Sequence, residues 1–135
     1  MVYNEIGKTG MRVSNLGFGA SSLGGVFHDI REAEGIKAVH TAVENGINFI
    51  DVSPYYGHLK AETVLGKALV DIQRDKYYLS TKVGRYGKDG KNTWDYSAKR
   101  VTESVYESME RLHIDYIDLI NVHDVEFADL HQIVD

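Results

Sequence analysis

Short apolar runs alternate with amphipathic stretches from residue 16 to the end of the chain. The repeat is about 30 residues long, the length of one strand–helix crossover step. A strand followed by a helix returns parallel to itself, so the pattern demands a parallel sheet covered by helices. Before it, Val2-Tyr3 and Met11-Arg12-Val13 flank Gly7-Lys8-Thr9-Gly10, which reads as a small hairpin. Leu16-Gly17-Phe18-Gly19 is a first strand, followed by a glycine-rich loop to Gly25. A helix is predicted from Asp29, with Asp29 and Glu32 spaced as a capping box. Ile36, Val39, His40 and Val43 form its apolar face, and Gly46 stops it. Ile47 to Ile50 is the second strand, ending at Asp51. A helix over 61–70 and a strand over 77–81, ending at Lys82, follow. The polar stretch from Gly84 to Tyr96 reads as a long loop. A helix over 97–111 carries a stripe of Ala98, Val101, Val105, Met109 and Leu112. A fourth strand over 116–122 ends at His123, and residues 130–134 begin a further helix. Glu and Lys on these helices read as solvated faces.

At 135 residues the chain holds one domain, residues 1–135. Two α/β architectures fit: an open doubly wound sheet of four strands, or the first half of a (β/α)8 barrel. Composition and periodicity leave both open.

Composition removes several function classes. Fifteen Lys plus Arg against twenty Asp plus Glu give a net charge of −5, so no basic excess is available to neutralise nucleic-acid phosphates. The absence of cysteine excludes disulfides, zinc–cysteine sites and a thiol nucleophile. No apolar run approaches the roughly 18 residues of a membrane span, and the N-terminus does not read as a secretory signal, so a cytoplasmic location is expected. Neither His-x-His nor His-Glu-x-x-His occurs, which disfavours a metallohydrolase. The glycines after the first strand do not form the dinucleotide fingerprint G-x-G-x-x-G.

Asp51, Lys82 and His123 each lie at the C-terminal end of a predicted strand, and Tyr56 lies in the loop after Asp51. In a barrel those ends converge on one face. Taken singly, each has an ordinary reading: a surface carboxylate, a packing aromatic, a solvated lysine, a structural histidine. Together they make a proton-transfer set. A free tyrosine hydroxyl has a pKa near 10, and a neighbouring ammonium favours its ionised form. A carboxylate holds the ammonium, and a histidine hydrogen-bonds the substrate oxygen. Such a site protonates a carbonyl oxygen while hydride arrives from elsewhere.

Five segments carry a resemblance in order: Leu16 to Ser21, Asn48 to Gly57, Glu62 to Leu69, Ser80 to Gly84 and Arg111 to His123. They resemble the aldo-keto reductases, across nearly the whole chain. The resemblance implies a (β/α)8 TIM-barrel type fold, here its N-terminal half only, with a hairpin closing the bottom. It implies an NADP or NAD cofactor without metal. It implies Tyr56 as acid/base, Lys82 as the group that activates it, Asp51 as the holder of Lys82, and His123 as the group that orients the oxygen. Gly19, Ala20 and Ser21, with Asp51, are placed near the nicotinamide ribose. Tyr55 becomes a pocket wall, and Trp94 either a pocket lining or a loop anchor. The run Gly19 to Phe27 and the pair His123-Asp124 are similar to the sugar-dehydrogenase branch, which oxidises an aldose at its anomeric carbon, with L-galactose among the expected substrates. His113 stands where the family usually has glycine.

The resemblance also implies that later strands supply the clamp on the nicotinamide and pyrophosphate, so this chain alone is expected to be inactive. The alternative is a non-catalytic half-barrel module that associates with itself or with a full-length relative through exposed strand edges. A phosphate-binding barrel isomerase has no sequence support.

Overall fold

The computed structural model describes residues 1–88 and 91–134. Strands β1 (Tyr3–Glu5) and β2 (Arg12–Ser14) form an antiparallel hairpin with Tyr3 opposite Ser14. It is tied to the rest through Asn48, whose side chain accepts from the Ser14 N–H at 2.7 Å and donates to the Arg12 carbonyl at 2.9 Å. Then follow β3 (Phe18–Gly19), a 3-10 turn (Ala20–Gly24), α1 (Glu32–Glu44), β4 (Phe49–Asp51) and α2 (Lys60–Leu69). After them come β5 (Tyr78–Val83), a hairpin of β6 (Arg85–Lys88) and β7 (Lys91–Trp94), α3 (Ala98–Leu112), β8 (Leu119–Val122) and α4 (His131–Val134).

Strands β3, β4, β5 and β8 form one parallel sheet in that spatial order. This decides between the two architectures. A doubly wound sheet reverses direction at a switch point, whereas a barrel adds each new strand to the same edge. Here every strand lies beside its predecessor, as in the first half of a (β/α)8 barrel.

Helices α1, α2 and α3 pack side by side over one face. Val39, Ile50, Val64, Leu65, Ala68, Leu79 and Leu112 form the centre of the core beneath them. Each fully buried aliphatic side chain contributes roughly 1.5–3 kcal/mol. Strand alternation sends Leu79 and Thr81 toward the helices and leaves Ser80 and Lys82 on the opposite face, where Asn121 donates to the Ser80 hydroxyl at 2.9 Å.

Several elements differ from the sequence reading. α1 begins at Glu32 rather than Asp29, and Arg31 caps it with no side-chain bond. The backbone is still extended at Arg31, while Ile30 packs against the core. The C-terminus is as expected: Ile47 N–H bonds to Ala42 O and Gly46 N–H to Val43 O, a Schellman closure. His40 belongs to the fold, its Nε2–H donating to the Ala68 carbonyl at 2.9 Å.

The expected loop after Gly84 is instead the β6–β7 hairpin, with Arg85 opposite Trp94 and Tyr86 opposite Thr93. Its sequence is rich in Lys, Gly and Asn, which hides the strand signal. Its anchors are aromatic: Tyr86 and Tyr96 are buried, and Trp94 stacks on Tyr96 with ring centroids 6.4 Å apart. Residues 89 and 90 of the expected loop lie outside the described residues.

α3 also docks differently. Ser104, Ser108 and Leu112 are its fully buried residues, flanked by half-buried Val101, Val105 and Met109. Small residues let it approach α2 closely. A Cβ on Gly66 would stand 2.1 Å from the Arg111 carbonyl oxygen. At the same contact Glu62, expected on a solvated face, is completely buried. It accepts from Thr81 at 2.7 Å, Ser108 at 3.2 Å and Arg111 Nε at 2.8 Å, and so ties α2 to both β5 and α3.

Candidate active site

Asp51 ends β4, Lys82 lies next to last in β5, and His123 follows β8 directly. Parallel pairing in register brings these ends together on the inner face of the sheet. Lys82 Nζ donates to Asp51 Oδ2 at 2.6 Å and to the Val52 carbonyl at 3.0 Å. The ammonium is largely enclosed, with 14% of its side chain exposed against 35% for Asp51. It stands 5.0 Å from the centroid of the Tyr56 ring. The His123 ring meets the Tyr56 ring edge-on, with centroids 5.9 Å apart. The three strand-end residues and the loop residue Tyr56 singled out from sequence are therefore one cluster.

Tyr56 is placed by the turn that follows β4. Its N–H bonds to the Ser53 carbonyl at 3.2 Å, and its own carbonyl accepts from Ala61 at 3.2 Å at the start of α2. Gly57 has φ +62°, and a Cβ there would stand 2.2 Å from the Gly24 carbonyl oxygen. A Cβ on Gly24 would stand 2.7 Å from the Tyr56 carbonyl oxygen. Two glycines thus let the β3 and β4 loops touch backbone to backbone, which sets the height of the Tyr56 ring.

His123 is half-buried. Burial pushes its imidazole below the ordinary histidine value, and the Asp124 carboxylate opposes that shift. Ser53 Oγ lies 3.2 Å from Nδ1, and the Tyr96 hydroxyl donates to the His123 carbonyl at 2.7 Å. Ser53 faces the ring at Nδ1 and Tyr96 fixes the backbone behind it, while the lowered pKa favours the uncharged form, which can donate one hydrogen bond to a substrate oxygen.

Gly19 pairs in register with Asp51, and the space above its Cα is open. Ser21 is half-buried beside it, whereas the Ala20 side chain is fully buried in the core and leaves only its backbone to meet a ligand. The Ser21 hydroxyl and the Asp51 carboxylate are a donor and acceptor set that suits ribose hydroxyls.

Sequence reasoning missed a second layer. Arg85 in β6 lies over the Tyr55 ring at 3.8 Å and the Trp94 ring at 4.7 Å. It donates to the Tyr55 hydroxyl at 3.0 Å and pairs with Asp124. The aromatic spacing Tyr86, Trp94, Tyr96 around a lone arginine was the available signal, but it makes sense only once the hairpin is seen.

The sequence pattern of the Aldo/keto reductase family matches residues 15–130. The chain is 49% identical over 131 residues to an L-galactose dehydrogenase of Arabidopsis thaliana, covering 96% of this chain and 40% of that protein. It superposes on a holo-form aldo-keto reductase from Bacillus halodurans with a TM-score of 0.85 at 33% identity, covering 99% of this chain and 44% of that one. A Klebsiella pneumoniae aldo-keto reductase solved in complex with NADPH gives a TM-score of 0.69 at 25% identity, covering 83% and 36%. The chain spans about two fifths of the length of the curated relatives it matches.

Proposed function

The chain belongs to the aldo/keto reductase family, and from that membership we propose that Asp51, Tyr56, Lys82 and His123 form the proton-transfer half of a site that moves hydride between NADP or NAD and an aldehyde or aldose. The likeness to an L-galactose dehydrogenase supports an aldose, with L-galactose as the first substrate to test. When bound, the nicotinamide supplies or takes the hydride. Gly19, Ser21 and Asp51 suit its ribose, and the backbone at Ala20 borders the same place.

The clustering of these side chains supports the roles that the family resemblance implies for them. In the oxidising direction the Tyr56 phenolate takes the proton of the anomeric hydroxyl as hydride leaves the same carbon, and a cyclic hemiacetal becomes a lactone. In reverse, the Tyr56 hydroxyl protonates the carbonyl oxygen. The Lys82 ammonium stabilises negative charge on Tyr56, and Asp51 fixes that ammonium. Neutral His123 donates to the reacting oxygen and orients it. One observation carries the reading: Lys82 is held 2.6 Å from Asp51 with its ammonium 5.0 Å from the Tyr56 ring.

The test is a titration with NADPH and NADH, followed by an assay of L-galactose oxidation, on a protein in which this chain is joined to the second-half strands of a relative, because the chain alone is expected to be inactive. Saturable binding with turnover supports the reading. Tyr56→Phe should then lower kcat by roughly 10²–10⁴-fold with an unchanged circular-dichroism spectrum, and undiminished turnover would sink the assignment. The setting we propose is the cytosol.

A second reading has an observation of its own. Ile120 and Val122 of the edge strand β8, and Phe127, Leu130 and Val134 after it in the chain, are exposed. A half barrel that associates through such an edge would be a binding module rather than an enzyme. A monodisperse dimer by light scattering, without cofactor binding, would favour it.

A further inference from the structure

His123 has two neighbours that compete for its imidazole. Ser53 Oγ accepts the Tyr55 N–H at 3.1 Å, so its own proton is free for Nδ1 at 3.2 Å. That arrangement leaves the imidazole proton on Nε2, the nitrogen that must face the substrate oxygen. Asp124 Oδ2 lies only 3.5 Å from the same Nε2. Asp124 stands at φ +50°, a left-handed conformation that aspartate tolerates better than most residues, and its carboxylate lies beside the ring. A carboxylate so placed would capture the Nε2–H and turn it away from any substrate.

Arg85 prevents this. Its NH1 takes the same Oδ2 atom. The guanidinium is fixed between the Tyr55 and Trp94 rings, and its NH2 donates to the Tyr55 hydroxyl. Its Nε is buried without a partner among the described residues, so the side chain is aimed by NH1 and NH2 alone. We infer that Arg85 is a positioning residue of this site: by holding the Asp124 carboxylate it keeps the His123 Nε2–H free for a substrate oxygen. The inference rests on the proposed role of His123 but is tested on the imidazole itself.

Every group facing His123 enters the test. Ser53, Tyr55 and Tyr56 reach it from the turn after β4, Asp51 from β4, Lys82 from β5, Arg85 from β6, and Asp124 from its own loop. Arg85 and Lys82 press the imidazole toward neutrality, while Asp124 and Asp51 oppose them.

The measurement is a pH series of long-range proton–nitrogen spectra on the nitrogen-15-labelled chain, with His123 assigned by its loss in His123→Gln. The wild-type ring should be the neutral Nε2–H tautomer. In Arg85→Gln its titration midpoint should move up, as the freed carboxylate captures the proton. In the Asp124→Asn background the same Arg85→Gln change should raise the midpoint much less, by the loss of the guanidinium charge alone. Arg85→Lys, which keeps a charge, should retain most of the wild-type behaviour. An unmoved midpoint in folded Arg85→Gln overturns the inference. A rise of undiminished size in the Asp124→Asn background also overturns it, because the effect would then owe nothing to release of a carboxylate. Should Arg85→Gln not fold, Arg85→Met, which keeps an unbranched stem between the two rings without the charge, is read in its place with the same outcomes. Because the spectra read the imidazole and not turnover, a chain that binds no cofactor can still support it, and one that oxidises L-galactose can still refute it.

Discussion

Glu62 shows how much one side chain decides in this fold. It is fully buried, yet Thr81, Ser108 and Arg111 all donate to its carboxylate. Glu62→Ala would leave the Arg111 guanidinium, largely buried itself, without its main partner. Removing one member of a buried pair costs about 3–5 kcal/mol, so urea denaturation of Glu62→Ala should show a loss of that order. His123 makes a prediction through pH. Its folded-state value lies below the ordinary 6.5 because burial disfavours the imidazolium. The unfolded chain therefore binds this proton first, and folding stability should be full above pH 6.5 and decline as pH falls below it. Thermal melts between pH 8 and pH 5 should show that decline shrinking in His123→Gln. At this scale the sequence was partly readable. Asp51, Tyr56, Lys82 and His123 stood out because each follows a strand, and strand ends are easy to place. Glu62 was not readable, because a glutamate on a helix looks solvated until the partners contributed by β5 and α3 are known. Arg85 was hidden for the same reason, since its partners come from the turn after β4, from β7 and from the loop after β8.

Among the elements, α1 and α3 end by the same device. After α3, Ile114 N–H bonds to Met109 O and His113 N–H to Glu110 O, with His113 at φ +56°. At the end of α1 glycine fills the left-handed position. At the end of α3 a histidine bears the strain. His113→Gly should raise stability by about 0.5–1 kcal/mol in denaturant titrations, the relief of the left-handed strain outweighing the extra freedom that glycine gives the unfolded chain. Gly66 should respond in the opposite sense. Its missing Cβ is what admits the Arg111 carbonyl, and Gly66→Ala should cost roughly 1–3 kcal/mol as α2 and α3 are forced apart. Helices and strands that obey a plain period were legible before the fold was known. The β6–β7 hairpin was not, because its strands are polar and its support is a set of aromatic contacts with the loops after β4 and β8.

For the whole molecule the dominant fact is the order of the sheet. β4 and β5 have partners on both sides, whereas β3 and β8 each have one. The exposed Ile120 and Val122 belong to the edge strand β8. Self-association should rise with concentration in light scattering and weaken in Val122→Lys, which places a charge on that edge. Either architecture weighed from the sequence would have given a parallel sheet; the strand order was the part no periodicity could reveal. That order also has a consequence in time. Among the described residues each strand of the parallel sheet pairs with one made a single crossover earlier. The molecule can grow from its N-terminus as it leaves the ribosome, each unit docking on a template already complete. Within the parallel sheet amide hydrogen exchange should be slowest through β4 and β5, paired on both sides, and faster along the edge strand β8.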